Sequence, residues 1–352
     1  MRKTAFIRDP LFHRHNDKVL WHPESKARLD AIERSIDRHP WEGGLLELEA
    51  RDATRNDILR NHSAHYFERI EATRGKDATQ LDPDTSASAA TFEAAMRAAG
   101  AGITLADAIM AGQVDNGFTA VRPPGHHAVA TRSMGFCIFN NVAILAQYLR
   151  GRYQLDRIAI VDFDVHHGNG TQDSFFDDPH VLYISSHRYP FFPGTGDFKE
   201  TGLGEGMGYT MNIPLPPSMG DADFIHLYQR FVFPALEQYN PQFIIVSAGY
   251  DAHQDDPLGG MRMTQQGYGL LMHHLMDLAG HSACQGKVAV TLEGGYDVTA
   301  LAHSVQETIK VLRGEFDWQE AEKTIARRSR LPACDAVEDQ VYKYQRNHWK
   351  NL

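Results

Sequence analysis

The stretch Ile158-Ala-Ile-Val-Asp-Phe-Asp-Val-His-His-Gly-Asn-Gly170 changes character halfway along. Ile158, Ile160 and Val161 are β-formers with almost no polar interruption, as expected of a central parallel strand buried on both faces. Asp162, Asp164 and His166 then fall two residues apart, and in an extended chain that spacing sends their side chains to one side. An acid, an acid and an imidazole converging at a strand end suit a divalent metal.

Working outward, the same change recurs. Apolar strands are expected near 4–7, 118–121, 158–161, 181–185, 243–247 and 288–292. Helical periodicity separates them, at about 29–36, 89–110, 140–148, 171–176, 222–239, 264–279 and 298–312. This alternation implies one α/β domain with a central, mainly parallel sheet and helices on both faces. The strands run into polar or glycine-rich turns at 123–127, 162–170, 186–196, 250–256 and 293–296, and ligand sites of open α/β sheets lie at that edge. The segment 80–88, with Asp82 and Asp84, and the glycine-rich 202–208 read as loops. The catalytic unit is expected over 1–314. The charged segment 315–352 reads first as an extension packing on the same domain and second as an oligomer contact.

Composition narrows the function classes. The chain has 352 residues, 42% hydrophobic and 23% charged, which is ordinary for a globular protein with a substantial core. Cys137, Cys284 and Cys334 are far apart and form no Cys-x-x-Cys pair, so a reducing cytoplasm is expected, without a disulfide framework. No signal-peptide core or membrane span is apparent. A formal net charge of −10 disfavours nonspecific phosphate-backbone binding and mildly favours cationic substrates.

The chemistry follows from residue types. Asp164 and His166, with Asp251 from the end of another expected strand, make three ligands with an open fourth position, the catalytic zinc pattern. Taken alone Asp-x-His is a weak signal, since a satisfied buried carboxylate or histidine is commoner. His126 and His127, in a turn stiffened by Pro123 and Pro124, are candidate proton carriers. Tyr296, after Gly294 and Gly295, could present a hydroxyl to a developing oxyanion. Two loop histidines and a plain Gly-Gly-Tyr turn are the ordinary alternatives.

Six motifs in order, Arg122-Pro-Pro-Gly-His-His-Ala, Gly135-Phe-Cys-Ile-Phe-Asn-Asn, Asp162-Phe-Asp-Val-His-His-Gly-Asn-Gly-Thr, Phe192-Pro-Gly-Thr-Gly, Ser247-Ala-Gly-Tyr-Asp-Ala-His and Glu293-Gly-Gly-Tyr, resemble the histone deacetylase superfamily. The resemblance runs from about His22 to Leu312 and is nearest to the class II branch, including the bacterial deacetylase-like amidohydrolases and acetylpolyamine amidohydrolases. It implies the arginase/deacetylase-like fold and zinc-dependent hydrolysis of N-acetyl amides such as acetyl-lysine, with acetylpolyamines as the alternative substrate. A catalytically silent acyl-binding protein is the alternative of another class.

Residue by residue, the resemblance makes Asp164, His166 and Asp251 the metal ligands, with Fe2+ as a competitor of Zn2+. Tyr296 becomes the carbonyl-polarising tyrosine, and His126 and His127 the tandem histidines. Asp162 would bond His126 and Asn169 would orient His127. The different partners predict the higher pKa on His126 and the proton shuttle on His127. Gly135, Phe136 and Phe192 would line the acyl channel, and Arg28 would lie beneath the site. A K+ or Na+ ion is implied at Asp162, Asp164, His166, Ser185 and Ser186, and a second at Phe175, Asp178, Val181 and Tyr209. The expected partner is an acylated amine, without nucleic acid or membrane. A homo-oligomer is compatible with the sequence.

Overall fold

The computed structural model describes residues 1–16 and 22–352. Its strands are β1 (Thr4–Ile7), β2 (Leu46–Glu47), β3 (Thr79–Gln80), β4 (Ser86–Ala87), β5 (Asn116–Thr119), β6 (Ile158–Asp162), β7 (Val181–Arg188), β8 (Thr210–Leu215), β9 (Phe243–Ala248) and β10 (Val288–Leu292). Among the described residues eight of them form one sheet in the order β2-β1-β5-β10-β9-β6-β7-β8. Every pairing in that sheet is parallel. All five residues of β6 are buried, as its uninterrupted apolar run requires.

Helices cover both faces of the sheet. Thr91–Met110 packs on Asn141–Tyr153 and touches β5 from one side, while Val298–Arg313 packs on Gln265–His281 and Ala27–Arg38 and touches β5 from the other. The 91–110 helix is rich in alanine and glycine, which lets it approach its neighbours closely. The three cysteines are buried and unpaired. No helix among the described residues is long and apolar enough to cross a membrane.

Several elements differ from expectation. β5 starts two residues before the expected 118–121 strand, because Asn116 is buried, accepting from Thr4 Oγ1 at 2.8 Å and donating to the Leu312 carbonyl at 3.0 Å. The expected loop at 80–88 contains the small antiparallel β3–β4 pair. β8 has no counterpart in the sequence reading. It is an edge strand carrying Pro214, a residue that edge strands tolerate and that masks a strand in sequence. The expected 222–239 helix is interrupted by a π-turn at Tyr228–Val232, directly before Pro234.

The C-terminal segment lies against the sheet edge. In the Pro332–Gln345 helix, Cys334, Val337 and Val341 join the main hydrophobic core, as does Trp349 beyond it. Gln345 donates to the Thr210 carbonyl of β8 at 3.1 Å.

Candidate active site

Asp164 and His166 leave the C-terminal end of β6, and Asp251 leaves the end of its neighbour β9. Pairing of β6 with β9 brings these loops together at the sheet edge. One ligand-type atom from each residue lies within 4.8 Å of the others, and all three residues are buried. His166 Nδ1 sits 3.1 Å from Asp164 Oδ1 and 3.2 Å from Asp251 Oδ2. The other carboxylate oxygens are anchored: Asp164 Oδ2 accepts from Gly294 N at 2.8 Å, and Asp251 Oδ1 from Val165 N at 2.8 Å. A Cβ on Gly294 would stand 2.2 Å from Asp251 Oδ2, so only glycine fits there.

Burial, together with the charge of Asp164, pushes the Asp251 carboxyl up to about 7. Burial alone would lower the His166 pKa, but the two carboxylates overcome it and push it up to about 10. The trio therefore concentrates negative charge that needs a cation at its centre. Two oxygens and one imidazole nitrogen, all buried, fit a divalent metal in place of the proton.

The tandem histidines arrive on the turn after β5. His126 Nδ1 donates to Asp162 Oδ2 at 3.1 Å, and His127 Nδ1 donates to Asn169 Oδ1 at 2.9 Å. Their rings are 4.0 Å apart, and His126 Nε2 is 3.9 Å from Asp164 Oδ2. Burial works against protonation of His126, yet Asp164 and Asp162 prevail and push its pKa up to about 10. His127 goes well below the ordinary value, through burial and then the charges of His126 and His166. The two shifts run in opposite directions, His126 up and His127 down.

Glu293, quoted in the sequence only as part of the Gly-Gly-Tyr turn, holds the histidine turn in place. Its Oε2 accepts from Gly125 N at 2.7 Å and His126 N at 3.2 Å, and its Oε1 accepts from Ser247 Oγ at 2.9 Å. His126, Cys137 and Glu293 also cluster like metal ligands, but both glutamate oxygens are already occupied by these donors.

Tyr296 lies half-buried, with its ring 6.2 Å from Phe136 and the Arg28 guanidinium 5.3 Å from its centroid. Arg28 is fully buried and donates to the carbonyls of Glu293 and Gly295 and to Glu24. Glu24 also pairs with Arg122. This arginine–glutamate–arginine chain underlies the site, and neither Glu24 nor the role of Arg122 was read from sequence.

Phe192 is 37% exposed, with its ring edge-on to His127 at 5.1 Å, and Phe136 lies edge-on to Tyr296 at 6.2 Å. Gly135 and Phe136 both adopt positive φ, at 55° and 68°. Their amides donate to Asp84 Oδ1 and Thr85 Oγ1, each at 2.9 Å. A Cβ on Gly135 would come 2.3 Å from His127 Cδ2. His22 and Phe191 complete the aromatic surround, against Phe136 at 4.7 Å and stacked on His166 at 5.4 Å. Single aromatic residues in loops gave no sequence signal for these two.

Of the residues expected at a monovalent cation, Asp162 pairs in register with Ser185 across β6 and β7. The Ser185 and Ser186 hydroxyls meet His187 Nδ1 at 2.9 Å and the Tyr228 hydroxyl at 2.8 Å. In the second expected set, Asp178 is ion-paired with Arg150, while Phe175 and Val181 are core residues and Tyr209 packs against that core.

A histone deacetylase domain model matches residues 22–312. The chain is 38% identical over 318 residues to "Histone deacetylase 10, chloroplastic" of rice, covering 86% of this chain and 71% of that protein. It is 36% identical to "Histone deacetylase HDA1" of Candida albicans, over 97% of this chain but only 43% of that longer protein. A "Probable deacetylase" of Archaeoglobus fulgidus is 39% identical over 82% of this chain and 81% of its own length. The crystal structure of the HDA15 HD domain superposes with a TM-score of 0.92 at 36% identity, covering 100% of this chain and 97% of that one. With the sheet, its loop edge and the residues gathered there, these matches establish that the chain belongs to the histone deacetylase family, with the arginase/deacetylase fold.

Proposed function

We propose that the protein is a zinc-dependent deacetylase that hydrolyses acetyl-lysine-type amides. The observation that carries this reading is the convergence of the buried Asp164–His166–Asp251 trio, the His126–His127 pair and Tyr296, with Phe192 against His127 and Phe136 against Tyr296. Asp164, His166 and Asp251 would hold the zinc, which when bound would supply Lewis acidity to an amide carbonyl and to water. His127, held neutral by burial and by neighbouring positive charge, accepts the proton of the attacking water, and Asn169 fixes its ring. His126, paired with Asp162, keeps a positive charge beside the reacting centre. The Tyr296 hydroxyl donates to the oxygen that gains charge as the carbonyl is attacked. Phe136 and Phe192 grip the apolar stem of the acylated side chain.

Acetylpolyamine hydrolysis draws less support. Asp84 Oδ1 accepts from Gly135 N and Thr85 Oγ1, and Asp82 Oδ1 from Asp84 N and Thr85 N, so one oxygen of each acid is committed to holding its loop. Turnover of an acetyl-lysine peptide and of acetylputrescine by the zinc-loaded protein tests the reading, with metal analysis beside it. Preferred cleavage of the peptide by a chain holding one divalent ion supports it. Preferred cleavage of acetylputrescine moves the substrate to polyamines, and no cleavage of either sinks the reading.

A further inference from the structure

We infer that Asp256 is a positioning residue for Tyr296, an inference that rests on the deacetylase reading above. Asp256 is 7% exposed, and its carboxylate gathers four backbone N–H groups from two separate turns. Oδ1 accepts from Leu258 N at 2.9 Å and Gly259 N at 3.2 Å, closing the turn that follows Asp251. Oδ2 accepts from Tyr296 N at 2.6 Å and Asp297 N at 3.2 Å, in the turn after β10. Bonds from N–H to an ionised acceptor are about twice as strong as neutral ones, so one side chain welds two loops.

The 294–297 turn is otherwise held on either side of the tyrosine, not at it. Gly294 N is bound by Asp164, the Gly295 carbonyl by Arg28, and Asp297 caps the following helix through Thr299 N and Ala300 N. Two glycines precede Tyr296, and Gly295 has φ of 116°, so this backbone has few intrinsic preferences. Among the described residues, Asp256 is the side chain that bonds the backbone of Tyr296. Its carboxylate sets where the phenol begins, and a displacement of about 1 Å at a reacting group costs about 100-fold in rate. Among the described residues the hydrogen bonds of the Asp256 carboxylate go to these four N–H groups and none to the trio, although its charge helps to raise the Asp251 carboxyl. Asp256 acts through Tyr296, and it ties the tyrosine to the Leu258 turn at the protein surface, where Leu258 is 37% exposed.

The test is a double-mutant cycle on the zinc-loaded protein, with Asp256→Asn, Tyr296→Phe and the two combined, assayed with an acetyl-lysine peptide. Asparagine keeps the shape but presents N–H to two of the four donors. Asp256→Asn is expected to lower kcat by about 10- to 100-fold with KM within about threefold, and to add less than about twofold once Tyr296 is phenylalanine. Multiplying losses in the double variant, a change in KM alone, or an unchanged rate would overturn the proposal. So would loss of cooperative unfolding, which would make Asp256 a prop of the fold. A readout independent of turnover separates this idea from the deacetylase reading: 3-fluorotyrosine at position 296 should give one narrow fluorine resonance in the parent chain and a broadened or split one in Asp256→Asn. An identical resonance in both rejects the proposal even if the parent cleaves no acyl amine.

Discussion

His127 is bound to the neutral amide of Asn169 at 2.9 Å, whereas His126, whose ring lies 4.0 Å away, is bound to the carboxylate of Asp162. Asp164 and Asp162 raise His126, whereas burial and the charges of His126 and His166 lower His127, so His127 is the imidazole able to accept a proton near neutral pH. Asn169→Asp would give His127 a carboxylate too and raise its pKa. Because the base must be neutral to act, the acidic limb of the kcat/KM profile should move to higher pH, by about one to three units. A pH–rate profile checks this, and an unmoved limb would place the base elsewhere.

Tyr296→Phe removes one hydroxyl and leaves the ring packed against Phe136 and Arg28. A donor aimed at developing charge is worth about 100- to 1000-fold in kcat, with little change in KM. Steady-state kinetics on one acetyl-lysine peptide measure it.

Gly135→Ala tests the channel wall. The new methyl would meet His127 Cδ2 at 2.3 Å, on a backbone with φ of 55°. Activity should fall by more than about tenfold, since the ring that it displaces is the proposed proton carrier. The unfolding midpoint should also fall, since positive φ costs alanine about 1–2 kcal/mol before the displacement of the His127 ring is added.

His62 predicts a pH dependence of stability. It is buried, donates from Nδ1 to the Val129 carbonyl and accepts the Asn140 N–H on Nε2 at 2.9 Å, and burial lowers its pKa to about 4. The unfolded chain binds this proton at about 6.5. Its contribution is therefore complete above pH about 6.5, falls as the pH drops towards 4, and totals on the order of 3 kcal/mol. Urea midpoints measured across that window should fall less steeply in His62→Gln, which keeps an acceptor but cannot titrate. Buried His187 and His15, lowered to about 4 and about 3, keep the slope from vanishing.

That Asp164, His166 and Asp251 would come together with the tandem histidines nearby was legible because their chemistry is unusual for strand ends and their motifs come in a fixed order. β10 was legible to the residue, being a short apolar run between polar turns. β8 was not, since its Asn212 and Pro214 argue against a strand and its burial comes from Gln172 and the C-terminal helix, both distant in sequence. Glu24, Asp256 and Glu293 escaped for a related reason. Each is an acid whose work is to collect donors brought from elsewhere in the chain, and a carboxylate in a loop looks the same in sequence whether it is solvated or surrounded.

The C-terminal helix over Pro332–Gln345 has a consequence for how copies of this chain meet. A parallel sheet that stops at β8 offers a row of unsatisfied peptide groups on which another molecule could template a further strand. Gln345 occupies the Thr210 carbonyl, and Cys334, Val337 and Val341 seal the flank. The helix thus covers that edge, and a chain cut before Pro332 should bare the Thr210 carbonyl and the apolar flank and associate into larger species, which light scattering would read.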